Sequence, residues 1–320
     1  MAGAAEDGRV KVLFIAGLPH TGSTILANIL GEVEGFFAAG ELVYLGESLE
    51  LNGLCSCGKP TAECEIWSNV VRRAFRDERD AIERMRPERS WLVARQLPSL
   101  MLQERHENER LNRYRQALGD VCRATAEVTD ARVVIETTKR PSFGRLLASA
   151  PGLDVRVVHL IRDPRALVHS WARVGQWGAG PLEIGATFSV WHELTRRWHG
   201  GNGHYLPVRY EDFMHRPRDV IQQIVEHMDE APRELPFEDD RTVRLQPNHV
   251  CSGNQNRFRH GLIELRSDDE WKTRVSRPAA LAVMTTSWPL RRKWGYRLRE
   301  RDASPRRLSY LEGEPKRTRS

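Results

Sequence analysis

The sequence has no apolar run long enough to cross a bilayer. Its longest early apolar stretch, residues 10–18, is interrupted by Lys11 and is too short for a membrane helix. The first residues, MAGAAEDGRV, lack the basic start of a secretory leader, and the apolar run after them ends in a glycine turn instead of a cleavage site. A cytoplasmic protein without a membrane partner is therefore expected. Internal repeats and low-complexity stretches are also missing, which argues against solenoids and arrays. Cysteine is scarce, with five in 320 residues, so a disulfide scaffold is not the basis of this fold.

The apolar content of 40% is enough for a packed core, and 320 residues suit one large α/β domain or two small ones. Net charge is +6, which favours an anionic partner without naming it. The arginines are interleaved with Glu and Asp, so no basic stripe emerges and nucleic acid is not an expected partner.

Three of the cysteines, Cys55, Cys57 and Cys64, sit together in LCSCGKPTAEC. The C-x-C spacing is not the usual C-x₂-C of a zinc site, and only three ligands are close. Plain thiols, an internal disulfide and a metal all fit this spacing, and no metal ligand is assigned from it.

Residues 11–17, KVLFIAG, read as a buried strand ending in glycine. TGSTILANIL then places Ile25, Leu26, Ile29 and Leu30 at helical spacing. Residues 132–138 and 155–161 read as further strands, and Tyr205–Arg209 as a fourth. PRALVHSWARV reads as a helix with Pro164 in its first turn. Near-continuous apolar strands alternating with helices predict a mainly parallel sheet covered on both faces, in a P-loop-like α/β fold. About residues 65–128 are rich in Arg and Glu and are expected to form a helical insertion over the active site. The expected domain is residues 1–298, followed by a charged, flexible tail at 299–320.

The most informative segment is residues 17–24, GLPHTGST. A glycine turn between a strand and a helix presents backbone N–H groups and a helix N-terminus to phosphate. Gly17 and Gly22 have the spacing of a Walker A loop, but Ser23 and Thr24 follow where that loop has Lys and then Ser/Thr. Without the lysine, triphosphate hydrolysis with Mg²⁺ is disfavoured, and a ligand with fewer phosphates fits better. A second segment, residues 162–171, follows the 155–161 strand. Arg162 sits at the strand end, where open α/β sheets bind ligands, and Ser170 lies about two helical turns on. An arginine and a hydroxyl together suit a terminal phosphate.

These two motifs, in this order, resemble the PAPS-dependent sulfotransferase family, where PAPS is 3′-phosphoadenosine 5′-phosphosulfate. GELVYL (40–45), LCSCGKPTAECEIW (54–67), IETTKRP (135–141), VRYEDF (208–213), SGNQNRF (252–258) and EW (270–271) resemble segments of its bacterial-type, carbohydrate- and tyrosylprotein-like branch. The resemblance runs from about residue 11 to about residue 297. It implies transfer of a sulfuryl group from PAPS to a sugar, phenol, tyrosine or small-molecule hydroxyl, with adenosine 3′,5′-bisphosphate released and no metal required. It implies that the loop from Gly17 through His20, Thr21, Gly22, Ser23 and Thr24 holds the 5′-phosphosulfate. Arg162 and Ser170 would hold the 3′-phosphate, and Arg257 and Arg259 would close over it, with Arg257 favoured by its place in GN-x-x-R. Glu41 would be the base, with Glu47 and His249 as runners-up, and Lys139 and His20 would neutralise the leaving oxygen. His20 stands where the family usually has Arg or Lys. The competing readings are a P-loop nucleotide kinase or NTPase and a PAPS-binding homologue without activity.

Overall fold

The computed structural model describes residues 8–88, 108–175, 178–201, 203–232, 234–288 and 290–297. Its elements run β1 (Val10–Gly17), α1 (Ser23–Leu30), β2 (Phe36–Gly40), α2 (Leu45–Glu50), α3 (Glu65–Ala74), α4 (Glu78–Arg84), α5 (Glu109–Thr129) and β3 (Val133–Lys139). Then follow α6 (Pro141–Ala148), β4 (Leu153–Ile161), α7 (Pro164–Val174), α8 (Pro181–His199), β5 (Tyr205–Arg209), α9 (Tyr210–His215) and α10 (Pro217–His227). The described chain closes with β6 (Thr242–Leu245), β7 (Gly261–Glu264), α11 (Trp271–Arg274), α12 (Arg277–Thr286) and α13 (Leu290–Lys293).

Five strands form one parallel sheet in the order β2-β3-β1-β4-β5. β1 is central, and its residues from Val12 to Ala16 are wholly buried, which explains an uninterrupted apolar run. Alternation along the strand divides its side chains between two cores. Val12, Phe14 and Ala16 pack with Trp67, Tyr114, Leu118 and Phe143 on one face. Leu13 and Ile15 pack with Leu26, Ile29, Phe213 and Ile221 on the other. A third cluster gathers Leu18, Trp171, Phe188 and Met284 beside the strand ends.

β2 and the antiparallel β6–β7 pair add to the strands expected from sequence. FFAAG is too short and too poor in β-branched residues to stand out; edge pairing with β3 makes it a strand. Of the expected helical insertion, α3, α4 and α5 are described. α3 and α5 bury Trp67, Val70, Tyr114 and Leu118 under one sheet face. Part of that insertion, residues 89–107, and the tail from 299 on lie outside the described residues. Among the described residues, no helix is long and apolar enough to cross a membrane.

After β3 the chain crosses β1 to begin β4 on its other side. The sheet order therefore reverses beside β1, and the loops after the strand ends open a crevice there.

Candidate active site

That crevice is a cleft of about 760 Å³. The loop after β1 forms one wall. Gly17 (φ 154°) ends the strand, and a Cβ on it would lie 2.5 Å from the Leu160 carbonyl oxygen, so only glycine keeps β1 against β4 there. Gly22 (φ 89°) caps α1, and a Cβ on it would meet the Tyr210 ring at 2.9 Å. α1 starts with no side-chain cap and no acidic residue in its first turn, and Gly22, Ser23 and Thr24 line the cleft. Its first N–H groups and its dipole are thus left for an anion. Thr21 does a different job: wholly buried, it donates from Oγ1 to the Leu18 carbonyl (2.8 Å) and ties the loop.

Arg162 and Ser170 reach the same cleft from β4 and α7, and both are buried. Arg162 donates from Nη1 to the His20 carbonyl (2.8 Å), which fastens it to the loop, and from Nη2 to Asp268 (3.0 Å). Its guanidinium lies over the Tyr210 ring, 4.3 Å from the centroid, and its Nε has no hydrogen-bond partner among the described residues. The Asp268 carboxylate occupies one of the arginine's donor positions, so an incoming phosphate competes with it.

Between these two walls, Glu41 follows β2 and Lys139 ends β3. Lys139 donates from Nζ to Glu41 Oε1 (2.6 Å) and to the Thr137 carbonyl (2.8 Å). Lys139 takes a left-handed backbone (φ 70°), uncommon without glycine, which aims it into the cleft. Glu136 lies beneath, wholly buried. It accepts from Leu42 N (3.1 Å), next to Glu41, and from Thr138 N (3.0 Å), next to Lys139. One carboxyl therefore ties down both members of the pair. Burial pushes Glu136 up to about 8, with the Glu41 charge adding to the rise and its hydrogen bonds opposing it.

A family model described as "Sulfotransferase family" matches residues 13–234. The chain belongs to the sulfotransferase family. Over 92% of its length and 98% of the other, this sulfotransferase is similar to the sulfotransferase domain of the olefin synthase from Synechococcus PCC 7002, with a TM-score of 0.54 at 17% identity. It is similar to the sulfotransferase domain from the curacin biosynthetic pathway over 91% of its chain and 99% of the other, with a TM-score of 0.51 at 17% identity. At these identities the likeness speaks to the fold. No match was found among curated proteins.

Six cationic side chains line the sulfotransferase cleft against three carboxylates, an excess that suits an anion. Arg259 is among them. Arg257 is not: its guanidinium turns behind the rim and donates to the carbonyls of Gly253 (2.6 Å) and Leu54 (3.2 Å). His20 lines the cleft with its imidazole held below its ordinary range by burial, then by Arg162, Lys139 and Arg173. Of the runner-up bases, Glu47 is exposed on α2 and His249 sits beside Cys64, so neither lines the cleft.

Sequence reasoning missed Glu136, Tyr210, Asp268 and Trp191 as parts of the site. An acidic residue inside the apolar strand VVIETT was the available signal for Glu136. Tyr210 carries the Arg162 guanidinium on its ring. Trp191 lines the cleft with the Arg140 guanidinium over its ring, 6.0 Å from the centroid.

Proposed function

We propose that this sulfotransferase moves a sulfuryl group from PAPS to an acceptor hydroxyl. The observation that carries this reading is a single cleft in which a helix N-terminus and a buried Arg–Ser pair flank the Glu41–Lys139 ion pair. PAPS supplies an activated sulfur–oxygen bond, which breaks as the acceptor oxygen bonds to sulfur. The α1 N-terminus with Ser23 and Thr24 holds the 5′-phosphosulfate, within the glycine turn set by Gly17, Thr21 and Gly22. Arg162 and Ser170 hold the 3′-phosphate, and Arg259 closes over it from the rim. Arg257 keeps the rim segment in shape.

Glu41 takes the acceptor proton. In doing so it loses the charge that holds Lys139, and the lysine is freed to neutralise the leaving oxygen. His20 assists as a cation once the anion beside it favours its protonated form. Trp191 and Tyr44 offer aromatic surface for the acceptor, a sugar, a phenol or tyrosine, or a small metabolite hydroxyl.

Calorimetry with adenosine 3′,5′-bisphosphate in the absence of Mg²⁺ tests the donor site, with ADP and ATP as controls and Arg162→Ala alongside. Metal-free binding that requires the 3′-phosphate and Arg162 supports the proposal. Equal binding of ADP would refute it and return the loop to a kinase-like reading.

A further inference from the structure

The cysteine loop gains a fourth member in three dimensions. Cys55, Cys57, Cys64 and His249 bring their sulfur and ring nitrogen atoms within 4.8 Å of one another. Cys64 Sγ and His249 Nδ1 are 3.3 Å apart. Around a tetrahedral zinc ion, with bonds of about 2.3 Å to sulfur and about 2.0 Å to nitrogen, neighbouring ligand atoms lie about 3.5–3.8 Å apart. The cluster needs only a small adjustment to reach that spacing. We propose that Cys55, Cys57, Cys64 and His249 form a structural zinc site.

The surroundings already hold the ligands in place. Cys55 N donates to the Lys59 carbonyl and Gly58 N to the Cys55 carbonyl, each at 2.9 Å, which makes a tight knuckle. Cys64 caps the start of α3. Trp67 Nε1 donates to the His249 carbonyl (2.6 Å), Ser56 N to the Val250 carbonyl (3.0 Å) and Val250 N to Ser56 Oγ (2.7 Å). Three chain stretches thus meet before any ion binds. Cys55 and Cys64 are wholly buried, where a bare thiolate is costly and a metal-bound one is not. Three thiolates and one imidazole make a closed set of four, the pattern of a structural site with no open catalytic position. On binding, the three thiols release their protons to solvent.

Such a clip has a use here. The stretch after His249 runs through Cys251, which donates from its backbone N to Ala39, and Ser252, which accepts from Glu41 N, to the rim that carries Arg259. Zinc would brace the backbone beside Glu41. This inference is independent of the donor reading, since its readout is the metal itself.

The test uses the full chain. Metal content is measured after desalting, and the protein stripped under reducing conditions is then titrated with zinc against a chromophoric chelator. Cobalt(II) replaces zinc in a parallel sample. The expected results are about one zinc per chain and, with cobalt, thiolate charge-transfer and tetrahedral d–d bands. Changes outside a metal's ligand shell cost about 10–100-fold in affinity, so Cys64→Ser and His249→Ala are each expected to weaken zinc binding at least about 100-fold. Cys122→Ser, in the core away from the cluster, keeps it. The cobalt bands are read on the unaltered chain, so a variant that fails to fold does not decide the matter. Failure of the reduced chain to take up either metal would overturn the proposal, as would a cobalt spectrum without thiolate bands.

Discussion

Glu136 provides a sharp test of the site's foundation. In the folded chain its carboxyl is pushed up to about 8, first by burial, whereas the ordinary value is 4.5. Between those two values the folded state keeps a proton that the unfolded chain gives up. A raised folded value means that the stabilising contribution is complete below about 4.5 and is lost as pH climbs through about 8. The gap is about three and a half pH units, and each is worth about 1.4 kcal/mol. By about pH 9 the wild type is expected to have lost up to about 5 kcal/mol from this group, an upper limit because relaxation softens a buried charge. That is a large part of the roughly 5–15 kcal/mol typical of a folded domain. Glu136→Gln keeps the shape and the acceptor for Leu42 N and cannot ionise. Urea unfolding of both proteins from about pH 5 to about pH 9 gives the difference directly. Buried histidines such as His159 and His192 titrate in both proteins and cancel. The variant is expected to gain on the wild type as pH rises, by several kcal/mol. A difference that stays flat across this range would show that Glu136 is not a buried, proton-holding carboxyl, and the reasoning would fail.

Glu41→Gln is expected to lower kcat about 10²–10⁴-fold while leaving bisphosphate binding within a few-fold of wild type, as measured by turnover and calorimetry. Retained turnover would place the base elsewhere. Asp268→Asn removes the carboxylate that competes for Arg162 and is expected to tighten adenosine 3′,5′-bisphosphate binding about three- to tenfold, equivalent to roughly 1 kcal/mol; unchanged or weaker binding counts against the competition. His20 is held below its ordinary range in the free protein, so wild-type turnover is expected to fall as pH rises above its ligand-bound value. His20→Arg should keep or raise turnover at about pH 8 with a flatter profile, and its complete loss would show that His20 is more than a cation. Gly22→Ala forces a Cβ into the Tyr210 ring at φ 89° and is expected to cost about 1–3 kcal/mol of stability together with donor binding, read from the unfolding midpoint and calorimetry.

What could be read from the sequence was local. The apolar run of β1, the glycines on either side of the phosphate loop, the helical spacing of Leu26 and Ile29, and Arg162 at a strand end all carry their information within a few neighbours. They were enough for a parallel α/β sheet, and nine of the twelve residues expected at the site line the cleft. β2 was not legible because five small and aromatic residues become a strand only by pairing with β3. The charged helices α3 and α5 lay apolar stripes against the sheet, and charge density on one face does not reveal what the other face touches.

The sequence by itself determined the main strands of the sheet, the glycine loop without a Walker A lysine and which titratable and cationic groups the chain carries. Only the tertiary structure decided which of those groups meet. Glu41 and Lys139 are 98 residues apart and Cys64 and His249 are 185 apart, yet each pair shares a hydrogen-bond distance. The same folding turned Arg257 away from the cleft, set Asp268 on Arg162 and placed Glu136 under the ion pair. The physical reason is that periodicity and turn chemistry act along the chain. Charge pairing, burial and metal geometry act through space, and their partners exist only once the sheet has brought distant loops to one edge.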